Sequence, residues 1–328
     1  MEIINFEEKH VSQAADVLAV QFARLLEKFP LLPDRITNPG IAKEFLLALL
    51  AKDESQGVVL LKGGRVRGYL LGLYGDNPFF GRHVIVPFGG MALEDQTALD
   101  ELAALYCVAG KRWLKDGVLN HYLVMPALLD WLEAGFSLSF GKEQVYAVAS
   151  VADLHLEPTL PDGIVMREVT PSDADGLYDC ADWIAGHYNL APVWEPVPAE
   201  YLAEIREGYA ELAADPESST WIALDGDRIV SFVMIHPEDA GPSNLFGVPE
   251  LVHFSVAATD KEYRGRGIGR ALLSHVMKIA CAQGYETMTT DWRTTNPSAA
   301  HHWPGFGFEP YAYRLLRRVN PRYEKYIT

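Results

Sequence analysis

Apolar and polar residues follow the same plan in the two halves of the chain. Residues 58–73 form two apolar runs around a Gly-Gly turn, and residues 221–235 form two more around Asp-Gly-Asp. Apolar runs that flank a glycine turn are typical of β-hairpins. Further short apolar runs predict strands at residues 84–88, 251–258, 286–292 and 311–318. Each half therefore contains the strands of a sheet.

Amphipathic segments separate these strands. Apolar residues recur in them every three or four positions, the spacing at which side chains share one face of a helix. Such segments lie at residues 12–29, 41–52, 97–115 and 126–133 of the first half, and at residues 173–183, 198–213, 270–283 and 298–302 of the second. The pattern predicts an α/β (α+β) protein in which each half is a mixed, mainly antiparallel sheet flanked by helices.

A short connector divides the two halves. Residues 156–163 read LEPTLPDG, with two prolines, a glycine and no periodicity, which is typical of a linker. We therefore predict one domain over residues 1–155 and a second over residues 164–328. The pattern Trp-x-x-x-Gly-Phe of residues 131–136 recurs at residues 303–308, which favours duplication of one domain.

Composition narrows the class of protein. The chain has 328 residues, of which 49% are hydrophobic, and this is enough to fill two cores. No apolar run approaches the roughly 18 residues of a membrane span, and residues 1–10 are acidic rather than basic and apolar. We expect a cytoplasmic protein. Cys107, Cys180 and Cys281 lie far apart in apolar helical contexts, which favours reduced, buried thiols.

The net charge of the chain is strongly negative. A formal charge of −16 opposes binding to nucleic acid, whose phosphates it would repel. Divided at residue 155, the first part carries −5 and the second −11. The acidic second half favours a cationic partner, although an acidic surface also serves solubility.

Residues 264–270 carry a glycine-rich motif between a predicted strand and a predicted helix. Three glycines allow a tight turn that brings several N–H groups to one point, and the helix adds the positive end of its dipole. We predict a pyrophosphate-binding loop formed by Arg264, Gly265, Arg266, Gly267, Ile268, Gly269 and Arg270. A glycine-rich turn that binds nothing is the alternative.

Two common phosphate-binding motifs do not match this loop. A nucleotide-hydrolysing P-loop requires Gly-Lys-Ser/Thr at its end, and neither the lysine nor the hydroxyl is present. A dinucleotide fingerprint requires Gly-x-Gly-x-x-Gly, whereas these glycines stand at every second position. The loop therefore belongs to another kind of anion site.

The spacing of Arg264, Gly267 and Gly269 resembles the Arg/Gln-x-x-Gly-x-Gly/Ala motif of the GNAT superfamily of acyl-CoA N-acyltransferases. Residues 296–308 resemble a second motif of that family, Asn-x-x-Ala-x-x-Phe-Tyr-x-x-x-Gly-Phe, in the expected order. The layout in two halves is similar to that of mycothiol synthase, a tandem member of the superfamily. The resemblance implies two tandem GNAT-like domains, with acetyl-CoA as co-substrate and no metal.

The resemblance also implies which residues hold the coenzyme. In the family, the strand before the loop offers main-chain groups to the pantetheine arm and to the thioester. The implied contacts are the loop residues 264–270 together with Ser255, Val256, Ala257, Ala258, Asn296, Ser298 and Trp303. Asn296 and Ser298 equally suit the N-cap of a helix.

The corresponding place in the first half lacks the glycine loop. After the strand at residues 84–88, residues 89–96 read GGMALEDQ, with two carboxylates and no arginine. Carboxylates at the start of a helix satisfy its dipole and repel a pyrophosphate. We predict that the first domain binds no coenzyme.

Transfer of an acetyl group to an amine requires a base for the amine and an acid for the leaving thiolate. His253 lies where many relatives carry a catalytic glutamate, and Glu250 is the second candidate base. Trp303 stands where relatives carry an acidic tyrosine, and an indole N–H gives up no proton. The remaining candidates for the acid are Tyr311, Tyr313, His302 and solvent. We predict an N-acetyltransferase, and the alternative is a coenzyme A-binding sensor or scaffold without turnover.

The segment at residues 182–200 is rich in aromatic residues and proline, and this region caps the acceptor site in the family. Aromatic faces together with a carboxylate form a pocket for an organic cation. The candidates for such a pocket are Trp183, His187, Tyr188, Trp194 and Glu195. A hydrophobic interface with the first domain is the alternative. We expect the acceptor to be a small-molecule or peptide amine.

Overall fold

Both predicted hairpins are present in the structure, a computed structural model that describes residues 1–95, 99–152, 159–239 and 241–326. The chain divides into two units. The first holds Met1–Tyr146, Asp239–Gly247 and Pro310–Thr328, and the second holds Ala147–Glu238 and Val248–Glu309. The sequence, in contrast, predicts one division at a linker, of which residues 156–158 lie outside the described residues.

The first unit contains a sheet that is mainly antiparallel. Its strands are β1 (Glu2–Asn5), β2 (Ser55–Lys62), β3 (Arg65–Asn77), β4 (Gly81–Val86), β5 (Met91–Leu93), β6 (Asn120–Pro126), the first part of β7 (Gly141–Ser150) and β13 (Glu309–Arg318). They lie in the order β1-β2-β3-β4-β6-β13-β7, with β5 paired to β3. Strands β4 and β6 are parallel.

Helices cover this sheet and form its core with it. They are α1 (Val11–Lys28), α2 (Pro39–Leu50), α3 (Leu99–Lys115) and α4 (Leu129–Ser137). Trp113 of α3 and Trp131 of α4 are each 1% exposed and pack with strand residues such as Val58 and Leu70. Burial of large apolar side chains of this kind stabilises a fold by about 1.5–3 kcal/mol each.

The second unit contains the other hairpin. Its strands are β8 (Ile164–Glu168), β9 (Ser219–Asp225), β10 (Arg228–Pro237), β11 (Leu251–Thr259) and β12 (Thr287–Arg293), and its helices are α5 (Ala174–Tyr188), α6 (Ala199–Glu211), α7 (Ile268–Ala282) and α8 (Pro297–His302). The strand order is β12-β11-β10-β9-β8. Only the pair β11–β12 is parallel among the strand pairs of this order whose register is described.

These elements confirm the predicted fold class, with three helix boundaries shifted by three residues or more, namely both ends of α4 and the end of α5. Helix α4 begins three residues later than predicted because Pro126 still pairs with Ala312 in the sheet. Helix α5 continues past residue 183 because Ala181 and Ala185 extend its buried face by one turn. In the described residues, no helix has both the length and the apolar character required to cross a bilayer.

The cysteines are free, as the sequence predicts, but their burial differs. Only Cys180 is buried among them, whereas Cys107 and Cys281 are exposed. Both lie on amphipathic helices, where apolar neighbours in sequence do not decide which face a residue occupies.

Strand β13 belongs to the first unit, although it is the last strand in sequence. It pairs antiparallel with β6, from Ala312 opposite Pro126 to Arg318 opposite Asn120. The Arg314 side chain also pairs with Glu143 of the same unit, at 2.5 Å from Nε to Oε2. The strand was correctly predicted, but its sequence carries no sign of which sheet it joins.

Candidate active site

Strands β11 and β12 part near the middle of β11, and a cavity opens at that place. Their parallel register ends with Phe254 opposite Thr290. Both strands continue beyond this pair, and Ser255–Thr259 and Asp291–Arg293 line the cavity. On the side that faces β12, the main-chain donors and acceptors of this part of β11 therefore lie at the wall of the cavity and not in a ladder between paired strands.

A β-bulge lies at the same point on the other side of β11. Met234 of β10 pairs with Val256 and Ile235 pairs with Phe254, so Ser255 is an additional residue on β11. A bulge increases the local twist of a strand and redirects its side chains. The bulge and the parting of the strands thus occur at neighbouring residues.

The cavity has a volume of about 470 Å³, a size typical of small-molecule sites. Most of the predicted coenzyme contacts line it, namely Ser255, Val256, Ala257, Ala258, Arg264, Gly265, Gly267, Ile268, Gly269, Arg270, Asn296, Ser298 and Trp303. Arg266 is not part of the lining. The fold thus brings together residues from three separate segments of the sequence.

The glycine-rich loop has the backbone conformation that its sequence predicts. Gly265 and Gly267 adopt φ values of 76° and 84°, in the left-handed region that glycine populates most easily. Gly267 is the N-cap of α7, and no side chain caps the helix there. Because the first N–H groups of a helix have no partner within the helix, this end of α7 offers donors to an anion.

Gly269 has a different role, because its lack of a side chain allows α7 to lie close to β11. A Cβ atom at this position would lie 2.9 Å from Oγ1 of Thr259. That distance is below normal van der Waals separation, so a larger residue would push the helix away from the strand. Glycine here keeps the start of the helix beside the cavity.

The three arginines of the loop have different surroundings. Nε of Arg264 donates to the main-chain oxygen of Thr259 at 3.0 Å, which ties the loop to the end of β11. Arg266 donates to the main-chain oxygen of Glu262 and lies over the ring of Tyr263. The guanidinium of Arg270 lies 5.5 Å from the ring centroid of Phe306 and lines the cavity. Two of the three cations therefore face the cavity.

Aromatic rings close the cavity on the side of α8. Trp303 is 7% exposed and packs edge-on against Phe254 at 4.8 Å between ring centroids. His302 also lines the cavity, and burial lowers its pKa, with a further contribution from the positive charge of Arg270. Asn296 accepts a hydrogen bond from the N–H of Ala299, so the predicted N-cap is present while the residue also lines the cavity.

Several polar side chains form a hydrogen-bonded chain next to the point where β11 and β12 part. Oγ1 of Thr289 donates to Oε1 of Glu238 at 3.2 Å, and Nδ1 of His253 lies 2.9 Å from the same Oγ1. Since a hydroxyl has one proton, Nδ1 of His253 must donate to it, and Nε2 is then the basic nitrogen. Nε2 lies 3.8 Å from Oδ1 of Asp291, which lines the cavity.

The surroundings keep His253 neutral. Burial lowers the pKa of its imidazole most, the carboxylates of Asp291 and Glu238 raise it, and His236 lowers it again. The net direction is downward from the ordinary value near 6.5. Nε2 is therefore available to accept a proton at neutral pH.

Comparison with known proteins agrees with this geometry. The Acetyltransferase (GNAT) family matches residues 179–308 of the chain. The chain carries a GNAT domain. Its glycine loop, its parted parallel strands and its cavity all fall within the matched residues.

Curated relatives match about a third of the chain. N-acetyltransferase 8F1 of Rattus norvegicus is 29% identical over 115 residues, which cover 35% of this chain and 48% of that protein. N-acetyltransferase 8B of the same species is 31% identical over 108 residues, which cover 33% and 46%. The match spans about half the length of these relatives.

Solved structures match the chain over nearly its whole length. A GCN5-related N-acetyltransferase from Sphaerobacter thermophilus has a TM-score of 0.63 at 16% identity, covering 97% of this chain and 95% of that one. A tandem GNAT protein from the clavulanic acid biosynthesis pathway has a TM-score of 0.56 at 13% identity, covering 98% of both chains. At these identities the similarity shows a shared fold, including the tandem arrangement.

The structure separates the two candidate bases. His253 lies one residue before the point where the strands of the GNAT domain part. Glu250 is exposed and precedes β11, about 13 Å along the strand from Phe254 at 3.3 Å per residue. Neither side chain lines the cavity, but Nε2 of His253 lies 3.8 Å from Oδ1 of Asp291, which does, whereas Glu250 lies at the paired end of the strands.

Tyr311 is not among the residues that line the GNAT cavity. It belongs to the first unit, where its ring contacts Phe88 and Phe246 at 5.6 and 5.3 Å between centroids. Tyr313 follows on the same strand and also belongs to the first unit. The sequence analysis assigned Tyr311 to the second domain, over residues 164–328, whereas its strand pairs with β6 of the first unit.

The predicted acceptor residues occupy different positions. Trp183, His187 and Tyr188 of α5 line the GNAT cavity. Burial raises the pKa of the Tyr188 hydroxyl, and the carboxylates of Asp291 and Glu195 raise it further. Glu195 does not line the cavity but pairs with Arg293, which does, at 2.7 Å from Oε2 to Nε. Trp194 is 71% exposed and lies outside the lining.

Sequence reasoning missed the charged residues of β12. Asp291 and Arg293 line the GNAT cavity on either side of Trp292 in sequence. Alternation of polar and buried residues in β12 was visible in its sequence, but no local signal showed where the strand leaves its partner. Among the described residues, no group of histidine, cysteine and carboxylate side chains has the arrangement of a metal site.

Proposed function

We propose that the chain is an acetyl-CoA-dependent N-acetyltransferase that transfers acetyl to an amine by direct attack on the thioester. The observation that carries this proposal is the position of the glycine loop. Its left-handed glycines open α7 on the same cavity that is lined by the parted strands of the GNAT domain. An anion-binding end and a strand with open main-chain groups suit the pyrophosphate and pantetheine parts of coenzyme A.

The residues of the cavity fit this coenzyme. The N–H groups around Gly267 and the guanidinium groups of Arg264 and Arg270 supply positive potential for a pyrophosphate. Main-chain groups of Ser255–Thr259 would hold the amides of the pantetheine arm as a neighbouring strand does. When bound, acetyl-CoA would supply the acetyl thioester.

His253 would accept a proton from the amine. A protonated acceptor placed between Oδ1 of Asp291 and Nε2 of His253 can donate to both, since these atoms are 3.8 Å apart. Of the two protons that the ammonium loses, one leaves through His253 towards Glu238 and solvent. The amine then attacks the carbonyl carbon, the C–S bond breaks, and the other proton ends on the thiolate.

The leaving thiolate would be stabilised from the side of α8. The indole of Trp303 donates a hydrogen bond but gives up no proton. Tyr188 lines the same cavity, and its raised pKa keeps its hydroxyl protonated at neutral pH. The second proton of the amine therefore reaches the thiolate directly, or through Tyr188 or water, each of which gives up one proton and takes up that of the amine.

Binding and turnover test the proposal separately. Calorimetry with the full chain should give one coenzyme A site, and at 100 times its dissociation constant the ligand should stabilise the fold by about 2.7 kcal/mol. Release of thiol from acetyl-CoA is then measured over a panel of amines. Absence of binding would overturn the proposal.

Trp303 favours one second candidate, a coenzyme A-binding protein without turnover, because an indole stands where the motif of relatives has tyrosine. Binding without thiol release for any amine in the panel would support that candidate. Thiol release with one amine excludes it.

A further inference from the structure

We propose that the acceptor is an α-amino acid, bound through its amine at Asp291 and through its carboxylate at Arg293. This inference rests on the proposed function, since it names the class of amine that the same site acetylates. It is carried by two side chains of opposite charge in the wall of one cavity.

Asp291 and Arg293 are two positions apart on β12. Side chains at this separation point to the same face of a strand, and their Cα atoms are about 6.6 Å apart at 3.3 Å per residue. The intervening Trp292 is 7% exposed. A carboxylate and a guanidinium at this spacing match the ammonium and carboxylate ends of one amino acid.

Both charged residues are on the side of the cavity formed by the end of α5. The charge of Asp291 raises the pKa of Tyr188, the last residue of that helix. Arg293 pairs with Glu195, whose N–H donates to the main-chain oxygen of Tyr188 at 2.9 Å. The coenzyme loop lies on a different segment, at the start of α7. Asp291 and Arg293 are therefore placed to bind the acceptor rather than the coenzyme.

The guanidinium distinguishes this site from one for a simple cation. A wall built to hold a diamine or polyamine would present carboxylates, and a cation in that wall would repel the ligand. Arg293 has a side chain that is only 14% exposed and is held by Glu195. A guanidinium has five N–H donors, so it can donate to a second carboxylate besides that of Glu195.

Aromatic side chains in the cavity wall indicate a suitable probe. Trp183 and Tyr188 of α5 line the same cavity as Asp291 and Arg293. Phenylalanine is therefore a suitable probe, because its ring can contact these aromatic rings.

The test compares three amines that share one ring. Phenylalanine carries the carboxylate, phenylalaninamide replaces it with a neutral amide, and phenethylamine lacks it. For the full chain, kcat/KM of acetylation should be at least about tenfold higher for phenylalanine than for the other two, which corresponds to about 1.4 kcal/mol. Equal values for the three amines would overturn the inference while leaving the proposed function intact. Binding of coenzyme A without thiol release for any amine would instead overturn the proposed function.

Single substitutions test whether Arg293 is responsible for the preference for phenylalanine. Arg293→Gln should lower kcat/KM for phenylalanine at least about tenfold relative to kcat/KM for phenethylamine, so that the preference is lost. Glu195→Gln should keep the preference, because Arg293 remains. Arg206→Gln is the matched control, since Arg206 pairs with Asp182 at 2.8 Å outside the cavity. Equal losses for all three amines in Arg293→Gln, with coenzyme A affinity retained, would show that Arg293 only anchors Glu195.

Discussion

The two units contain corresponding strands, but the chain follows a different course after each of them. Strand β4 of the first unit and β11 of the second each pair antiparallel on one side and parallel on the other. After β11, the chain forms the glycine loop and opens α7 on the cavity. After β4, the chain turns back and forms β5, which pairs with β3.

The segments after β4 and after β11 differ in how their main-chain hydrogen-bonding groups are used. In the first unit, the N–H of Gly90 donates to the oxygen of Pro87, the N–H of Leu93 donates to the side chain of Gln21, and the N–H of Glu94 donates to the oxygen of Arg67. The residues of β5 are at most 1% exposed. The donors that would bind an anion are thus used within the protein.

Aromatic packing adds to the contrast. Phe88, which follows β4, stacks on Phe22 at 5.1 Å between centroids and contacts Phe246 and Tyr311. The hydroxyl of Tyr69 donates to the oxygen of Gly89 at 2.6 Å. The start of α7 thus has no side-chain cap, whereas main-chain groups of the segment after β4 are bonded within the protein. That the first unit binds no coenzyme stays a prediction.

The glycine loop provides the largest expected effect. Gly267→Val places a β-branched residue at φ 84° and forces the N-terminus of α7 to change, so coenzyme A affinity should fall about 1,000-fold as two or more charge-assisted hydrogen bonds are lost. Calorimetry measures this loss. Gly226→Val is the matched control, because Gly226 also has a positive φ and open space around it but lies in the β9–β10 turn. Similar losses of affinity in both variants would contradict the assignment.

A buried histidine makes the first unit sensitive to acid. His121 is fully buried between the hydroxyl of Tyr106 and the oxygen of Val118, and burial lowers its pKa to about 4. The unfolded state therefore binds the proton more readily, and stability is lost as pH falls from about 6.5 towards 4. The loss should amount to about 3 kcal/mol.

Urea unfolding measures this effect. Its pH dependence over that window should be weaker in His121→Gln than in the wild type, because the titrating group is absent. Parallel curves for the two proteins would assign the acid sensitivity to other groups.

We predict that His253 contributes to turnover rather than to coenzyme binding. His253→Ala should lower kcat about 100-fold and change coenzyme A affinity by less than about twofold, because the side chain does not line the cavity. Because burial lowers its pKa, kcat/KM of the wild type should fall only at a pH below about 6.5. His275→Ala is the control, since His275 packs against Trp221 outside the cavity. A wild-type rate in His253→Ala would remove it as the base.

Arg266 provides the smallest expected effect. Its guanidinium is bound to Glu262 and Tyr263 rather than to the cavity, so Arg266→Gln should weaken coenzyme A binding about twofold through long-range charge alone. This difference should disappear at high salt. Arg264→Gln should show a larger and less salt-sensitive loss, because Arg264 also ties the loop to Thr259. Equal losses would mean that the two arginines share one role.

Local patterns were sufficient for much of the fold and for part of the site. Both hairpins, the helices and the conformation of Gly265 and Gly267 followed from turn chemistry and periodicity, which depend on near neighbours in sequence. Asp291 and Arg293 were missed because their importance depends on where β12 leaves β11. Cys107 and Cys281 were misjudged because apolar neighbours do not decide the face of a helix.

The sequence by itself determined the elements and the glycine loop, because hairpin turns, helix faces and left-handed glycines are set by interactions over a few residues. Only the tertiary structure decided the partners of those elements. It placed β13 beside β6, moved Tyr311 into the first unit and brought His253, Asp291 and Glu238 together. Strand pairing joins residues that are distant in sequence, and many pairings are compatible with the same alternating pattern.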